Sequence, residues 1–220
     1  MWLLKIILLI GIFLIFYSLL ILSLKIDFQD ALVFNFSIKL LLTDLTISLA
    51  RVTVISFFSW VVAILSAKMI SMDWIIRRSF LPVFNFMRHI SPFAWIPFSI
   101  VWFGLGELSI QVVMFISLYF PVTILCLEAF CSIEREYLDE AAVLGANQKQ
   151  VFFFIELPIL KKQLIDFYRL TWGIGWITLV AAEMLGVKSG MGFRLLDFRY
   201  LLQYQSMAFY IIVMGIVGIA

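Results

Sequence analysis

Long and nearly uncharged apolar stretches are the feature that most restricts how this chain can fold. Residues 3–24 carry one charged side chain, Lys5, and residues 45–67 carry one, Arg51. About 20 such residues suffice for a helix to cross a bilayer. Inside the bilayer the backbone must satisfy its own hydrogen bonds, so only helices and closed barrels span it, and unbroken apolar runs favour helices. The pattern predicts an all-α membrane protein.

The composition excludes several other classes of protein. The chain has 220 residues, of which 64% are hydrophobic and 14% charged, whereas a soluble domain carries about a quarter charged residues. A net charge of +2 and the lack of a basic run with interleaved aromatics argue against nucleic-acid binding. The single histidine and two apolar-flanked cysteines, Cys126 and Cys131, favour buried thiols over a metal site. We therefore expect neither a metal nor a cofactor.

The apolar stretches predict about six transmembrane helices in a single domain, residues 1–220. The predicted spans are residues 3–24, 45–67, 95–105, 107–126, 168–185 and 203–220. Pro92 and Pro97 break a regular helix and predict a bend or a short unwound entry before the third span, and Arg51 is expected to snorkel at the edge of the second. Residues 3–24 lack a cleavage site and are interpreted as a retained helix. No basic residue follows the last span, which suggests a carboxyl terminus that is truncated or unusually short.

Basic residues predict the orientation of the chain in the membrane. Residues 68–91 and 131–169 contain more than half of the 16 Lys and Arg residues: Lys68, Arg77, Arg78, Arg88, Arg135, Lys149, Lys161, Lys162 and Arg169. Since cytoplasmic loops are rich in Lys and Arg, we place both segments, and hence the amino terminus, in the cytoplasm. The membrane is then expected to be the inner (plasma) membrane of a bacterial cell.

Residues 139–158, DEAAVLGANQKQVFFFIELP, form a polar-studded stretch between two predicted spans. Residues 139–144 are good helix formers, and Gly145 is suited to end that helix because glycine tolerates a left-handed backbone. A second amphipathic run covers residues 148–157, and Pro158 predicts a helix boundary. Phe152, Phe153, Phe154 and Ile155 are expected to anchor this second helix on the bundle.

This stretch resembles the EAA loop of permease subunits in binding-protein-dependent ABC importers, EAA-x3-G-x9-I-x-LP. Gly145, Ile155, Leu157 and Pro158 match the spacing, and the triplet falls in register on Asp139, Glu140 and Ala141.

A second stretch, RHISPFAWIPFSIVWFGLGE at residues 88–107, is similar to the pattern R-x-I-P-P-L-A-W-I-P-L…W-F-G-x-G-E. That pattern belongs to the taurine, alkanesulfonate, nitrate and bicarbonate branch of the same importers. Ser91 and Phe93 replace the first proline and the leucine of the pattern.

The resemblance implies a MetI-like type I importer permease fold and a coupling role for the triplet and for Gly145, Ile155, Leu157 and Pro158. It also implies separate ABC ATPase subunits and a periplasmic or lipid-tethered substrate-binding protein as partners. The sequence has no P-loop pattern and no Gly-Lys pair, so we expect the chain not to be an enzyme and ATP to be hydrolysed by the partner. Because a path needs two walls, we expect a two-fold homodimer.

The fifth predicted span offers candidate pathway residues. Glu183 is ionisable within the membrane and is therefore a functional candidate, and Trp172, Trp176 and Thr178 lie near it in sequence. Glu183 could instead orient Arg194 or another base, and the tryptophans could form an interfacial belt. Gly173 and Gly175 are expected to permit close approach of helices.

Two other functions remain open at the level of sequence. A self-contained secondary transporter or channel would need intramembrane acids, of which Glu183 is one candidate. A membrane-embedded enzyme would need a catalytic constellation that one histidine does not supply.

Overall fold

The apolar stretches fold into helices. The structure, a computed structural model, describes residues 37–219, and within that range it contains helices and no strand. The predicted first span, residues 3–24, and the predicted position of the amino terminus lie outside the described residues. The helices are α1 (Ile38–Ser71), α2 (Trp74–Arg88), α3 (Pro92–Phe103), α4 (Glu107–Cys131), α5 (Arg135–Val143), α6 (Gln148–Val151), α7 (Leu157–Gly186), α8 (Met191–Tyr200) and α9 (Tyr204–Ile219). A π-helical turn, Phe152–Glu156, joins α6 to α7.

Helices α1, α4 and α7 pack against one another and form the centre of the bundle. By length and composition, α1 and α4 can each cross a membrane, while α3 and α9 are shorter apolar helices. One buried cluster includes Val52, Met114 and Leu179, and a second includes Ala63 and Leu127. Small residues allow the close packing that membrane helices use. The all-α prediction is confirmed for the described residues.

Gly175 lies where α7 approaches α1. A Cβ atom built on Gly175 would lie 2.7 Å from the Ser56 Oγ atom, so the prediction of close approach is confirmed there. A Cβ on Gly173 would meet nothing within 4 Å, so no described helix of this chain approaches closely at that position.

Several helices extend beyond the predicted spans. α1 begins at Ile38 rather than residue 45, with Ser37 capping its first turn, and ends at Ser71 rather than residue 67. α4 continues to Cys131 rather than residue 126, and α7 starts at Leu157 rather than residue 168. Hydropathy ends a predicted span at the first polar residues, whereas the helical hydrogen bonds continue past them.

The bend predicted before the third span is present at residues 89–91, directly before α3. Pro92 occupies the first turn of α3, but Pro97 lies inside the helix and does not break it, which is contrary to the prediction. The boundary predicted at Pro158 is also present, since α7 begins at Leu157 with Pro158 in its first turn, but the chain stays helical on both sides of Pro158. The π-helical turn before it widens the backbone, with the Leu157 N–H bonded to the Phe152 carbonyl, and a widened turn accommodates a proline ring that would clash in a regular helix. Residues 148–186 are therefore helical without a break.

The packing predicts different reactivity for the two cysteines. Cys126 is buried within α4, whereas Cys131 is exposed at its end. We expect a maleimide to label the folded protein at Cys131 and to reach Cys126 only after denaturation. Labelling that persists in Cys131→Ala and is lost in Cys126→Ala would contradict this arrangement; intact-protein mass spectrometry distinguishes the two results.

Candidate functional site

Charged side chains meet at two levels of the bundle. Arg51 and Lys68 both belong to α1 and lie about 26 Å apart along its axis at 1.5 Å per residue, close to the thickness of a bilayer's hydrocarbon core. Lys68 contacts Glu156 beside the segment that contains α5 and α6. We call this the coupling end. Arg51 contacts Glu107 and Glu183 at the other level, which we call the distal end.

At the coupling end, α5 terminates as predicted at Gly145. Gly145 has a φ of 78°, a left-handed value that favours glycine. The Ala146 N–H donates to the Ala141 carbonyl and the Gly145 N–H to the Ala142 carbonyl, each at 3.0 Å. This pair of bonds is a Schellman motif, which satisfies the last carbonyls of a helix. The chain then reverses into α6, where Asn147 and Gln150 form a capping box.

The reversal exposes an apolar tip. The side chains of Val143 and Leu144 are 88% and 86% exposed, and Phe154 on the facing π-helical turn is 78% exposed. Leu144, Phe154 and Ile155 line a shallow pocket of about 310 Å³ between the two helical segments. Adjacent, strongly exposed apolar side chains next to charged ones are typical of a surface that contacts another protein or a membrane. We call Val143, Leu144 and Phe154 the apolar tip.

The predicted coupling residues occupy both sides of this reversal. Asp139 and Glu140 are exposed on α5, and Ala141 is buried. Ile155 and Leu157 are half-buried, and Pro158 is exposed. The prediction that four consecutive residues anchor the second helix is wrong for Phe153 and Phe154, which are exposed. Phe152 does face the bundle, since the centroid of its ring lies 6.1 Å from that of Phe130.

A buried ion pair that sequence reasoning missed holds the π-helical turn, Phe152–Glu156, against α1. The Lys68 Nζ atom lies 2.6 Å from Glu156 Oε1, and the Glu156 side chain is 6% exposed. The second carboxylate oxygen of Glu156 is buried without a hydrogen-bond partner among residues 37–219. Lys68 therefore compensates most of this buried charge. A glutamate between Ile155 and Leu157 in an otherwise apolar run was the signal in the sequence.

At the distal end, Glu183 is completely buried and fully hydrogen bonded. The Ser48 hydroxyl donates to the carboxylate at 2.9 Å, the Gly192 N–H donates at 2.9 Å, and Arg51 Nη1 donates at 2.7 Å. Arg51 also donates to the Ser189 carbonyl at 2.8 Å. These bonds connect α1, α7 and the start of α8.

One prediction at this end is wrong. Arg51 does not snorkel out of the bundle, because its side chain is 8% exposed and lies between two carboxylates. Glu183 binds a basic side chain, as the alternative allowed, but that base is Arg51; Arg194 instead pairs with Asp44 and Asp197, each at 3.0 Å. Arg51 was the only charged residue of its apolar run, and a lone charge there indicates a buried partner elsewhere in the chain.

The other candidate pathway residues have partners within the bundle. The rings of Trp172 and Trp176 are stacked 5.8 Å apart, and the Trp176 N–H donates to the Met214 carbonyl at 3.1 Å. The Thr178 hydroxyl donates to the Ile174 carbonyl. Trp176, Thr178 and Glu183 are buried, while Trp172 is half-buried. That these four residues line a solute path stays a prediction.

Comparison with known proteins identifies the family. Residues 59–220 match the family described as "Binding-protein-dependent transport system inner membrane component". The chain belongs to this family. This permease is 33% identical over 112 residues to the taurine transport system permease protein TauC of Escherichia coli, covering 51% of this chain and 41% of TauC. It is 29% identical over 172 residues to the nitrate import permease protein NrtB of Synechocystis sp., covering 78% of this chain and 62% of NrtB.

The permease spans about half the length of the curated relatives it first matches. Its relatives include permeases named for taurine and nitrate, and the resemblance to that branch is therefore confirmed. Both sequence motifs that carry the resemblance, residues 88–107 and 139–158, fall within the matched region.

The tight packing around Glu183 predicts that Gly192 cannot be enlarged. A Cβ on Gly192 would overlap the Val180 carbonyl oxygen, whereas a Cβ on Gly215 would meet nothing within 4 Å. We expect Gly192→Ala to lower the free energy of unfolding by about 1–3 kcal/mol, as overpacking does. Gly215→Ala, the matched control, should leave it unchanged or raise it. Denaturation in detergent micelles measures both, and equal stability of the two variants would contradict the packing.

The Lys68–Glu156 pair predicts a non-additive result. Lys68→Met leaves the buried Glu156 carboxylate without a positive partner and should lower the free energy of unfolding by about 3 kcal/mol. The double variant Lys68→Met/Glu156→Leu removes both charges and should recover most of that stability. The same denaturation measurement tests this, and a double variant as unstable as the sum of the two single variants would show that the pair is not coupled.

Proposed function

We propose that this permease is the membrane-spanning subunit of an ATP-driven importer that couples to a separate ABC ATPase through residues 139–158. It forms the translocation path for a small solute, with a sulfonate, nitrate, bicarbonate or a similar small anion as the substrate class. A substrate-binding protein delivers the solute, and two permease copies form the path. The observation that carries the proposal is the apolar tip at the coupling end.

The apolar tip fits a protein groove better than a lipid surface. Val143 and Leu144 lie at the end of α5, directly after the exposed carboxylates of Asp139 and Glu140. A short acidic helix with an apolar end is unfavourable at an anionic bilayer surface, but it suits a pocket that has an apolar centre and a charged rim. The Schellman motif at Gly145 holds the tip in a defined conformation and so lowers the entropic cost of docking.

A continuous helical run connects the apolar tip to the distal end. Residues 148–186 run without a break from the reversal to the vicinity of Glu183, and Lys68–Glu156 ties the start of this run to α1. A displacement of α5 by an ATPase therefore moves α7 and α1 together. Coupling also requires the ATPase to bind two permease conformations with different affinity, because a ligand shifts an equilibrium only through such a difference.

The same proposal predicts which end of the permease faces the cytoplasm. The coupling end faces the cytoplasm, where ATP is available, and the distal end faces the binding protein. The basic residues of segments 68–91 and 131–169 support this orientation. The amino terminus is then cytoplasmic, as the sequence predicts.

The apolar tip provides the test. We expect Val143→Ser/Leu144→Ser to reduce the amount of P-loop ATPase that co-purifies with a tagged permease in mild detergent by about tenfold or more, as loss of a central apolar contact does. Quantitative mass spectrometry of the purified complex measures the ratio of the two chains.

Leu201→Ser/Leu202→Ser is the matched control, since both leucines are more than half exposed and lie near the distal end. This variant should retain the wild-type ratio. The proposal is wrong if the control loses the ATPase and the tip variant keeps it, or if the wild-type permease purifies with no ATPase at all.

A further inference from the structure

A pocket opens at the distal end, beside the buried ion pairs. Its volume is about 540 Å³, and its walls combine Glu107, Lys188 and Ser189 with the apolar side chains of Leu105, Met184 and Phe193. Arg51 lies behind this wall and donates hydrogen bonds to two of its residues, Glu107 and Ser189. The Glu107 carboxylate and Ser189 therefore lie between the pocket and the buried guanidinium group of Arg51.

The two carboxylates that bind Arg51 are held very differently. Glu183 is fully buried and receives further hydrogen bonds from Ser48 and from the Gly192 N–H. The Glu107 side chain is 53% exposed and lines the pocket. Removing Glu183 from Arg51 would leave a buried charge uncompensated, which is costly. Moving Glu107 away would return its carboxylate to water, at a much smaller cost.

The edge of Arg51 that holds Glu107 is suited to oxyanions. Nε donates to Glu107 Oε2 at 2.8 Å, and Nη2 donates to the other oxygen, Oε1. Two parallel bonds from one guanidinium edge match any anion that presents two oxygens side by side. Glu107 also stands in the first turn of α4, whose N-cap, Gly106, supplies no side-chain cap. The helix dipole favours a negative charge at this position.

We propose that the Nε and Nη2 groups of Arg51 bind a small oxyanion. When no anion is bound, the Glu107 carboxylate occupies this binding site. The ligand class is an anion with two adjacent oxygens, such as a sulfonate, carboxylate, nitrate or bicarbonate. On entering the pocket, the anion displaces the Glu107 carboxylate into solvent and takes its two hydrogen bonds. The charge around Arg51 is the same before and after the exchange, so the buried Glu183 pair stays compensated.

Lys188 contributes to the exchange from the pocket wall. Its side chain is exposed and carries a positive charge that raises the local concentration of anions. The assignment of such an anion as the transported solute rests on the proposed function. The binding site itself does not, since it is built by residues of this chain.

Removal of Glu107 tests the exchange. The permease in non-ionic detergent is titrated with methanesulfonate at constant ionic strength, with chloride as the replaced anion, and binding is read from the rise in unfolding temperature. We expect the dissociation constant of Glu107→Ala to be about tenfold lower than that of the wild type, because its receptor edge is not occupied by an internal competitor.

Two further variants separate the proposal from a general charge effect. Asp166→Ala is the matched control, because Asp166 is also a 53% exposed carboxylate that pairs with an arginine, Arg169; its dissociation constant should equal that of the wild type. Adding Arg51→Lys to Glu107→Ala keeps the positive charge beside Glu183 but removes the two-pronged edge. The dissociation constant of this double variant should not be lower than that of the wild type.

The outcomes distinguish this inference from the proposed function. No tightening in Glu107→Ala, equal tightening in Asp166→Ala, or a full gain in the double variant would overturn the inference, even where the ATPase still co-purifies. Tightening in Glu107→Ala alone supports it, even where no ATPase is recruited. Stronger stabilisation by a short-chain phosphatidylglycerol than by methanesulfonate would assign the site to lipid and would overturn the soluble-anion proposal.

Discussion

The carboxylate of Glu183 is the constraint on which the distal half of this permease depends. A charge buried in an apolar bundle is tolerated only with a cation and further hydrogen bonds, and here Arg51, Ser48 and the Gly192 N–H provide them. These partners come from α1 and from the start of α8, so satisfying one carboxylate of α7 fixes where three helices meet. Because Gly192 packs directly against α7, the same arrangement also explains the small residue there.

The coupling end is organised by a weaker version of the same interaction. Lys68 compensates Glu156, but one oxygen of that carboxylate has no partner among the described residues. This ion pair has fewer hydrogen bonds than the Glu183 site, and it lies in a π-helical turn, a feature that is frequent at functional sites. The distal end of the permease is therefore fixed by more hydrogen bonds than the coupling end, where Lys68–Glu156 ties the π-helical turn to α1.

Sequence reasoning succeeded where a local pattern has one structural solution. Apolar runs predicted helices, and Gly145 predicted the end of α5, because each depends on the chain's immediate neighbours. It failed where the outcome depends on a distant residue. Arg51 reads as a snorkelling side chain until Glu183 is known to lie beside it. Nothing in the sequence shows that Phe152–Glu156 adopts a π-helical turn, which keeps the chain helical up to the boundary at Pro158.

A photo-cross-linking amino acid placed at Leu144 in native membranes tests whether the coupling end docks on an ATPase. If it does, the Leu144 probe gives a cross-linked product that contains a P-loop ATPase, and the same probe at Leu202 near the distal end gives none. An ATPase product from Leu202 with none from Leu144 would contradict it, because the docking surface would then lie at the opposite end of the bundle.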